Sequence, residues 1–252
     1  MKKLFLLTTL ISLGLAPAFA QPGPHGGGPG PNLGGAINKL FGANQSFSAT
    51  MEFEAGDGRG GNISMPGKLS FDGGKSRFEM NMSEIKGSQI PPTAVQQMKA
   101  MGMDTIISIS RPDLKLTYAI YPGLNSYAQM AATDPSFSVN PDDYKIETTE
   151  LGKETVAGHD CVKNKVTVTD KDGSKTESTV WNAADLKNFP IKIVTGDAAH
   201  AATMVFQNVS FTKPAASLFE PPSGFTKYND PQTMVQTEMM KKMGGGMPPA
   251  PH

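Results

Sequence analysis

Apolar and polar side chains alternate most clearly within residues 161–193. Over residues 162–169, valine and asparagine alternate with lysine and threonine. This alternation has the period of a strand with one buried face and one solvent-exposed face. Residues 170–173 are suited to a tight turn, because Gly173 tolerates a positive φ. Residues 176–181 return as a second strand. This stretch therefore predicts a β-hairpin.

A corner and a third strand follow the hairpin. Residues 182–188 predict one short helical turn, which ends before Pro190 because proline breaks a helix, and residues 191–195 are extended again. Similar alternation predicts further strands at residues 47–55, 67–71, 75–82, 104–111, 116–121, 126–130, 144–149, 154–156 and 201–211. Helical spacing of apolar residues predicts short helices at residues 36–42, 93–101 and 231–242. About ten strands without regular βα alternation indicate an α+β or all-β fold with antiparallel pairing.

The ends of the chain differ in composition from its middle. A basic start, an apolar run over residues 4–15 and an Ala-Phe-Ala site at residues 18–20 predict a cleaved export signal. We therefore expect a periplasmic protein that begins at Gln21 and has no membrane-spanning segment after cleavage. The expected regions are a signal peptide at 1–20, a Gly/Pro-rich disordered leader at 21–35, a folded domain at 36–228, and a Met-rich, Gly/Pro-rich tail at 229–252.

Charge and sequence motifs argue against several functions. Lysine and arginine total 23 against 23 acidic residues, so electrostatics gives no reason to bind nucleic acid or an anionic membrane. There is no G-x-S-x-G motif, no phosphate-binding loop, and no G-x-G-x-x-G motif that opens a helix after a strand. We therefore expect a protein that is not an enzyme and needs no cofactor.

A soft-metal site is one alternative interpretation. His159 and Cys161 are two residues apart, so both would face the same side of a strand and, with His200, could bind a soft metal such as copper. The tail adds thioether and imidazole groups at Met239, Met240, Met243, Met247 and His252. A single cysteine cannot form an internal disulfide, however, and such a side chain is most often a small buried apolar group.

Several segments in the second half of the chain carry a family resemblance. WNAADLKNFPIKI at residues 181–193, MVFQNVSF at 204–211 and LFEPPSGF at 218–225 resemble the carboxy-terminal third of the bacterial lipoprotein-carrier superfamily (LolA/LolB-like). Earlier segments, GKLSFDGGKSRFEM, RPDLKLTYAIYPGLNSY and LGKETVAGHDCVKNKVTV, fit the same order of strands. The chain is most similar to exported members whose domain has no assigned function. The resemblance covers roughly residues 47–228 and concerns mainly structural motifs.

The resemblance implies an α+β fold, in which an open, curved antiparallel sheet forms a half-barrel and short helices cover its concave face. In the carriers, the space between sheet and helices holds acyl chains. For this chain it implies an apolar cleft with candidate ligand-binding residues Leu40, Phe41, Met98, Met101 and Met103. Carriers usually have an Arg-Pro pair at the turn where this chain has Asp72, Gly73 and Gly74. That departure argues against lipoprotein transfer itself and leaves the apolar cleft in place.

Three hypotheses of function follow. The leading one is a non-enzymatic exported binding protein that holds an acyl chain, a lipid-like ligand or a lipoprotein in the concave face. The second is a periplasmic interaction or envelope-stress module whose concave face receives an envelope protein partner. The third is a soft-metal binding protein that uses the Met-rich tail or the pair His159 and Cys161.

Overall fold

A computed structural model describes residues 35–56, 61–87, 91–132, 143–196 and 201–242 of the chain. The signal peptide, almost the whole leader and the end of the tail lie outside these residues, and so does His200. The expectations for these parts, including export and disorder, stay predictions. Among the described residues, no helix combines the length and the apolar character needed to cross a membrane.

Twelve strands and three α-helices make up the described fold. The helices are α1 (Gly35–Leu40), α2 (Pro92–Ala100) and α3 (Pro231–Lys242). The first six strands are β1 (Ser46–Gly56), β2 (Asn62–Asp72), β3 (Lys75–Asn81), β4 (Thr105–Arg111), β5 (Leu116–Tyr121) and β6 (Ser126–Ala131). The others are β7 (Tyr144–Val156), β8 (His159–Asp170), β9 (Lys175–Ala183), β10 (Phe189–Thr195), β11 (Ala202–Ser210) and β12 (Thr226–Tyr228).

All twelve strands belong to one sheet, in the order β12-β6-β5-β4-β3-β2-β1-β11-β10-β9-β8-β7. Every pair is antiparallel except β12 with β6. The two halves of the chain meet where β1 pairs with β11, with Met51 opposite Phe206. Among the described strands nothing joins β12 to β7, so the sheet is open. The predicted fold class, an open antiparallel sheet with short helices, is confirmed.

One face of the sheet carries the main hydrophobic core. Side chains from both edge regions contribute to this core, including Tyr144 on β7 and Tyr228 on β12, so the sheet curves around it. We call this side the concave face. Helix α1 supplies the fully buried Phe41 that follows its end, and the ring centroid of Phe41 lies 4.8 Å from that of Phe47 and 5.0 Å from that of Phe71. Helices and sheet thus bury their apolar faces against each other.

Two smaller apolar clusters lie on the opposite, convex face. One consists of Ile107, Ile109, Tyr118 and Ile120 on β4 and β5, covered by Phe219 from the segment that links β11 to β12. The guanidinium of Arg111 fastens this segment, because it donates to the carbonyl oxygen of Phe219 at 3.3 Å and also contacts the Glu220 carboxylate. The other cluster contains Cys161, Trp181, Ala183 and Ile191 on β8, β9 and β10.

The central hairpin is present as predicted, while several boundaries differ. The corner is a short 3₁₀ turn at Ala184–Leu186, and β10 starts at Phe189, so that Pro190 lies inside the strand. The strands predicted at 144–149 and 154–156 are one strand, β7, in which a bulge between Glu150 and Gly152 interrupts the pattern of the sequence. Strand β2 starts at Asn62, earlier than the predicted 67–71.

Candidate functional site

The concave core contains a cluster of aromatic rings, which we call the aromatic half, and a part around Met98, Met101 and Met103 at the end of α2, which we call the methionine half. The aromatic half contains Phe41, Phe47, Phe71, Phe189 and Phe206, whose rings contact one another. Six buried methionines also belong to this core: Met51, Met80, Met82, Met103, Met204 and Met234. Five partly buried methionines pack against them: Met65, Met98, Met101, Met130 and Met239. Methionine is unbranched and polarizable, so a core rich in it repacks easily around varied apolar groups.

Small side chains occupy one row of the concave face on β4 to β6. Pairing places Phe78 of β3 opposite Ser108, Ser108 opposite Ala119 and Ala119 opposite Ala128. Ser108 is half-buried, whereas the two alanines are fully buried beneath other core side chains. We call this row of short side chains the small-residue floor. This floor leads along the strands toward Met80 and Ile106, which face each other in the next concave row.

Helix α2 covers the methionine half without being buried itself. Proline at its first positions supports the start of the helix, and Gly102 ends it with a φ of +73°. None of its residues is buried, although Met98 and the following Met101 pack against the core. A helix with so little burial is held weakly by packing and can move at a modest cost in free energy.

Backbone contact and a lysine fix the end of α2. A Cβ atom at Gly102 would lie 2.5 Å from the carbonyl oxygen of Gly123, so the two glycines allow a backbone approach that no other residue permits. The ammonium of Lys242, at the end of α3, donates to the carbonyl oxygens of Met101 at 2.7 Å and Gly123 at 3.1 Å. Lysine is a favourable partner for the free carbonyls at the end of a helix.

Helix α3 is itself anchored by a buried carboxylate. Oε1 of Glu238 accepts hydrogen bonds from Tyr228 at 2.6 Å, Lys241 at 2.9 Å and Ser126 at 3.1 Å. Burial raises the pKa of this carboxyl, but the three hydrogen bonds outweigh burial and the pKa is lowered overall. The residues Met234 and Val235 of the same helix lie in the main core. Helical spacing predicted α3, but nothing in the sequence signalled that it would fasten α2.

The five residues proposed from the sequence lie in both halves of the core. Leu40 is 7% exposed and Phe41 is 1% exposed, and Phe41 stands at the centre of the aromatic half. Met103 is buried, and Met98 of α2 and Met101 just after its end are partly buried. Their role in ligand binding stays a prediction. The small side chains of β4 to β6 were missed, because a serine in a strand gives no signal in the hydrophobic pattern.

A separate cavity of about 390 Å³ lies mainly along β1, β2 and β3. Its lining includes Glu52, Lys68, Glu79, Glu84 and Thr105, together with Met51 and Met80 of the main core, and none of the five proposed residues. The Glu52 carboxylate accepts a hydrogen bond from Ser64 at 2.7 Å, and Glu79 pairs with Arg77 at 3.0 Å. Both carboxylates therefore already have a hydrogen-bond or ion-pair partner within the protein.

The proposed metal pair does not converge on one point. The Cys161 thiol is buried in the convex cluster and donates to the carbonyl oxygen of His159 at 3.4 Å. Burial raises the pKa of this thiol. Nδ1 of His159 lies 2.7 Å from Asp185. Within the described ranges, no group of three or more His, Cys, Asp or Glu side chains is arranged to hold a metal ion.

Comparison with solved structures finds similar folds at low sequence identity. A LolA superfamily protein from Nitrosomonas europaea is 10% identical over 73% of this chain and 93% of its own, with a TM-score of 0.39. LprF from Mycobacterium bovis is 14% identical over 71% and 93%, with a TM-score of 0.39. Lipoprotein LppX from Mycobacterium tuberculosis is 9% identical over 64% and 85%, with a TM-score of 0.36. The first of these proteins belongs to the superfamily that the sequence resembles.

Comparisons by sequence find no relatives. No protein-family model matches the chain, and no curated protein matches it. Function therefore has to be inferred from the arrangement of the residues themselves.

Proposed function

We propose that this chain is a non-enzymatic binding protein that holds an apolar ligand, an acyl chain or a lipid-like molecule, on its concave face. The ligand lies on the small side chains of β4 to β6 and reaches the methionine half beneath α2. The observation that carries the proposal is a core with six buried and five partly buried methionines, two of which, Met98 and Met101, lie on and just after a helix that buries none of its own residues.

The methionine half suits such a ligand better than the aromatic half does. Stacked and edge-to-face rings such as Phe41, Phe47 and Phe189 occupy fixed positions, and removing one from its contacts costs packing energy. Thioether side chains adopt many rotamers and fill irregular space. We therefore assign the proposed ligand contacts to Met98, Met101 and Met103, and we assign Leu40 and Phe41 to the wall that borders the site.

A second candidate function is binding of a protein partner through β7. This edge strand is 13 residues long, and nearly all of its residues are at least partly exposed. Ile146 is 44% exposed and Leu151 is 54% exposed. A long exposed edge can accept an added strand from another chain. The lysines of β7 and its bulge are the usual devices that prevent such pairing, so we rank this function second.

Extraction of the purified full chain with organic solvent tests these functions together. Mass spectrometry of the extract, with metal analysis of the same sample, is expected to find an acyl lipid at a substantial molar ratio to protein. Stoichiometric copper without lipid would overturn the proposal in favour of the metal hypothesis. If neither is present, and the lipid-free protein binds no fluorescent fatty acid, partner binding through β7 becomes the better explanation. Export of the protein, expected from the predicted signal peptide, is tested separately by amino-terminal sequencing of the protein from its host.

A further inference from the structure

Three hydroxyl groups form a row on the concave face, one row away from the small-residue floor. Strand pairing places Ser76 opposite Ser110, and Ser110 opposite Thr117. The same row continues to Phe71 on β2 and to Met130 on β6. Directly paired residues of antiparallel strands project from the same face of a sheet. The three hydroxyls therefore lie side by side between the aromatic half and a core methionine.

The hydroxyl of Thr117 is buried without a hydrogen-bond partner. Thr117 is 4% exposed, and its Oγ1 atom has no hydrogen-bond partner among the residues that the structure describes. An unpaired buried hydroxyl destabilises the folded state, so proteins rarely retain one where an apolar group would fit. A second such hydroxyl, that of Ser178, lies opposite Val166 on β8 and apart from this row. Thr117 thus has an unused hydrogen-bonding group that faces the proposed ligand site.

A ligand can reach the hydroxyl row from the side of Ser76 and Ser110. Ser76 and Ser110 are both half-buried, and their strands end within one residue of them, since β3 starts at Lys75 and β4 ends at Arg111. The row therefore lies at the rim of the concave face. Tyr121 lies at the other end of β5, four residues after Thr117. This separation is roughly 13 Å at the usual rise of a strand. Tyr121 belongs to the same core as the methionines at α2.

We infer that Ser76, Ser110 and Thr117 bind the polar head of an elongated amphiphilic ligand. This inference rests on the proposed function, and it specifies the class of ligand: a long apolar chain with a hydrogen-bonding head such as a carboxyl group. The head accepts hydrogen bonds from the hydroxyl row at the rim. The apolar chain runs over Ser108, Ala119 and Ala128 to the methionines. The polar head then contacts hydroxyl groups, and the apolar chain contacts mainly apolar side chains.

Two fluorescent probes with the same alkyl chain, one ending in a carboxyl group and one in a methyl group, test this inference on lipid-free full-length protein. The change Thr117→Val removes the hydroxyl and keeps the branched shape, and Ser110→Ala removes the second hydroxyl. We expect each variant to bind the carboxyl probe about five- to tenfold more weakly and the methyl probe with unchanged affinity. Ser70→Ala is the control, because Ser70 pairs with Arg77 on the convex face.

Stability provides an independent readout. Because Thr117→Val removes an unpaired buried hydroxyl, we expect the variant without ligand to be more resistant to urea than the unaltered protein. If the variants lose affinity equally for both probes, or lose affinity for neither, the head-group inference is refuted and the proposed function still stands. Failure of the unaltered protein to bind either probe would instead overturn the proposed function. Lower stability of Thr117→Val would show that the hydroxyl is paired in the folded protein and would refute its assigned role.

Discussion

Nε1 of Trp181 donates a hydrogen bond of 2.9 Å to Oε2 of Glu154, which reaches over from β7 across the intervening strand β8. Trp181 is 6% exposed, and the ammonium groups of Lys163 and Lys192 lie over its ring, 5.0 Å and 4.7 Å from the ring centroid. These contacts place the only tryptophan of the chain beside a titratable carboxylate. Its fluorescence therefore reports on that carboxylate.

We predict that acidification changes the tryptophan emission only below the usual range of glutamate. The hydrogen bond from Trp181, followed by the interactions with Lys163, lowers the pKa of Glu154. A lowered pKa means that the stabilisation by this pair is complete above the ordinary value and is lost as the pH falls through the folded-state value. The emission should therefore titrate with a midpoint below the ordinary value of about 4.3.

Two variants check the assignment of this titration. Glu154→Gln should abolish it, whereas Glu150→Gln, which alters an exposed residue on the same strand, should leave it unchanged. A midpoint at or above the ordinary glutamate value in the unaltered protein would show that the carboxylate is not held by the indole.

Removal of the indole itself should be costly. Trp181 packs with Cys161, Ala183 and Ile191 in the convex cluster, so Trp181→Ala leaves a large gap between three strands. We expect the free energy of unfolding in urea, followed by circular dichroism, to fall by about 3 kcal/mol or more. Lys163→Ala removes a cation over the ring and a partly exposed ion pair with Glu154 at 3.4 Å, and it should cost less than about 1 kcal/mol. Equal losses in the two variants would mean that the ring contributes little packing.

Local elements of this fold could be predicted from the sequence because their signals lie within a few residues. The hairpin of β8 and β9 has an alternating pattern and a glycine turn, and the strands observed are His159–Asp170 and Lys175–Ala183. Helix α2 has prolines at its start and a glycine after its end, and the prediction is within one residue at each end. Each signal needs only a local backbone preference, which tertiary contacts did not override here.

The arrangement of the site could not be predicted in the same way. Thr50 on β1 lies beside Gln207 on β11, and these residues are 157 positions apart. An alternating strand specifies which face is buried but not which strand lies beside it. The hydroxyl row and the small-residue floor exist only because β3 to β6 pair in one register. The hydrogen bonds from Lys242 to the backbone at the end of α2 likewise depend on where α3 packs. The sequence predicts only that α3 is a helix.

The buried carboxylate of Glu238 should contribute measurably to stability. Glu238→Ala leaves the hydroxyls of Tyr228 and Ser126 without their common acceptor, so we expect the free energy of unfolding to fall by about 2 kcal/mol. Gln236→Ala, at an exposed position of the same helix, should change it by less than about 0.5 kcal/mol. Urea denaturation at neutral pH measures both values.

The pH dependence of Glu238 gives a second check. Its pKa is lowered in the folded protein, so the stability that it provides is complete above the ordinary glutamate pKa and declines as the pH falls through the folded-state value. The difference in unfolding free energy between the unaltered protein and Glu238→Gln should therefore shrink at low pH. A difference that stays constant from neutral pH to well below the glutamate range would contradict the role of the charge.

The proposed ligand site is tested most directly by placing charges in the methionine half. Met98 and Met101 are partly buried at the edge of the core, on or next to a helix that buries nothing. In Met98→Glu and Met101→Glu the new carboxylate can turn toward water, because α2 is able to move, but the ligand then loses an apolar contact and meets a charge. We expect about tenfold weaker binding of a fluorescent fatty acid, or roughly 1.4 kcal/mol, with a small loss of stability.

Two controls separate loss of the ligand from loss of the fold. Gln97→Glu places the same charge at an exposed position of α2 and should change neither binding nor stability. Val166 is 4% exposed in the hairpin side of the core, where a carboxylate has no route to water, so Val166→Glu should lower the unfolding free energy by about 3 kcal/mol or more. If Met98→Glu and Met101→Glu destabilise the protein as much as Val166→Glu does, and the unaltered protein shows no saturable probe binding, the methionines are ordinary core. Because the exposed edge of β7 does not depend on that core, partner binding would then become the leading function.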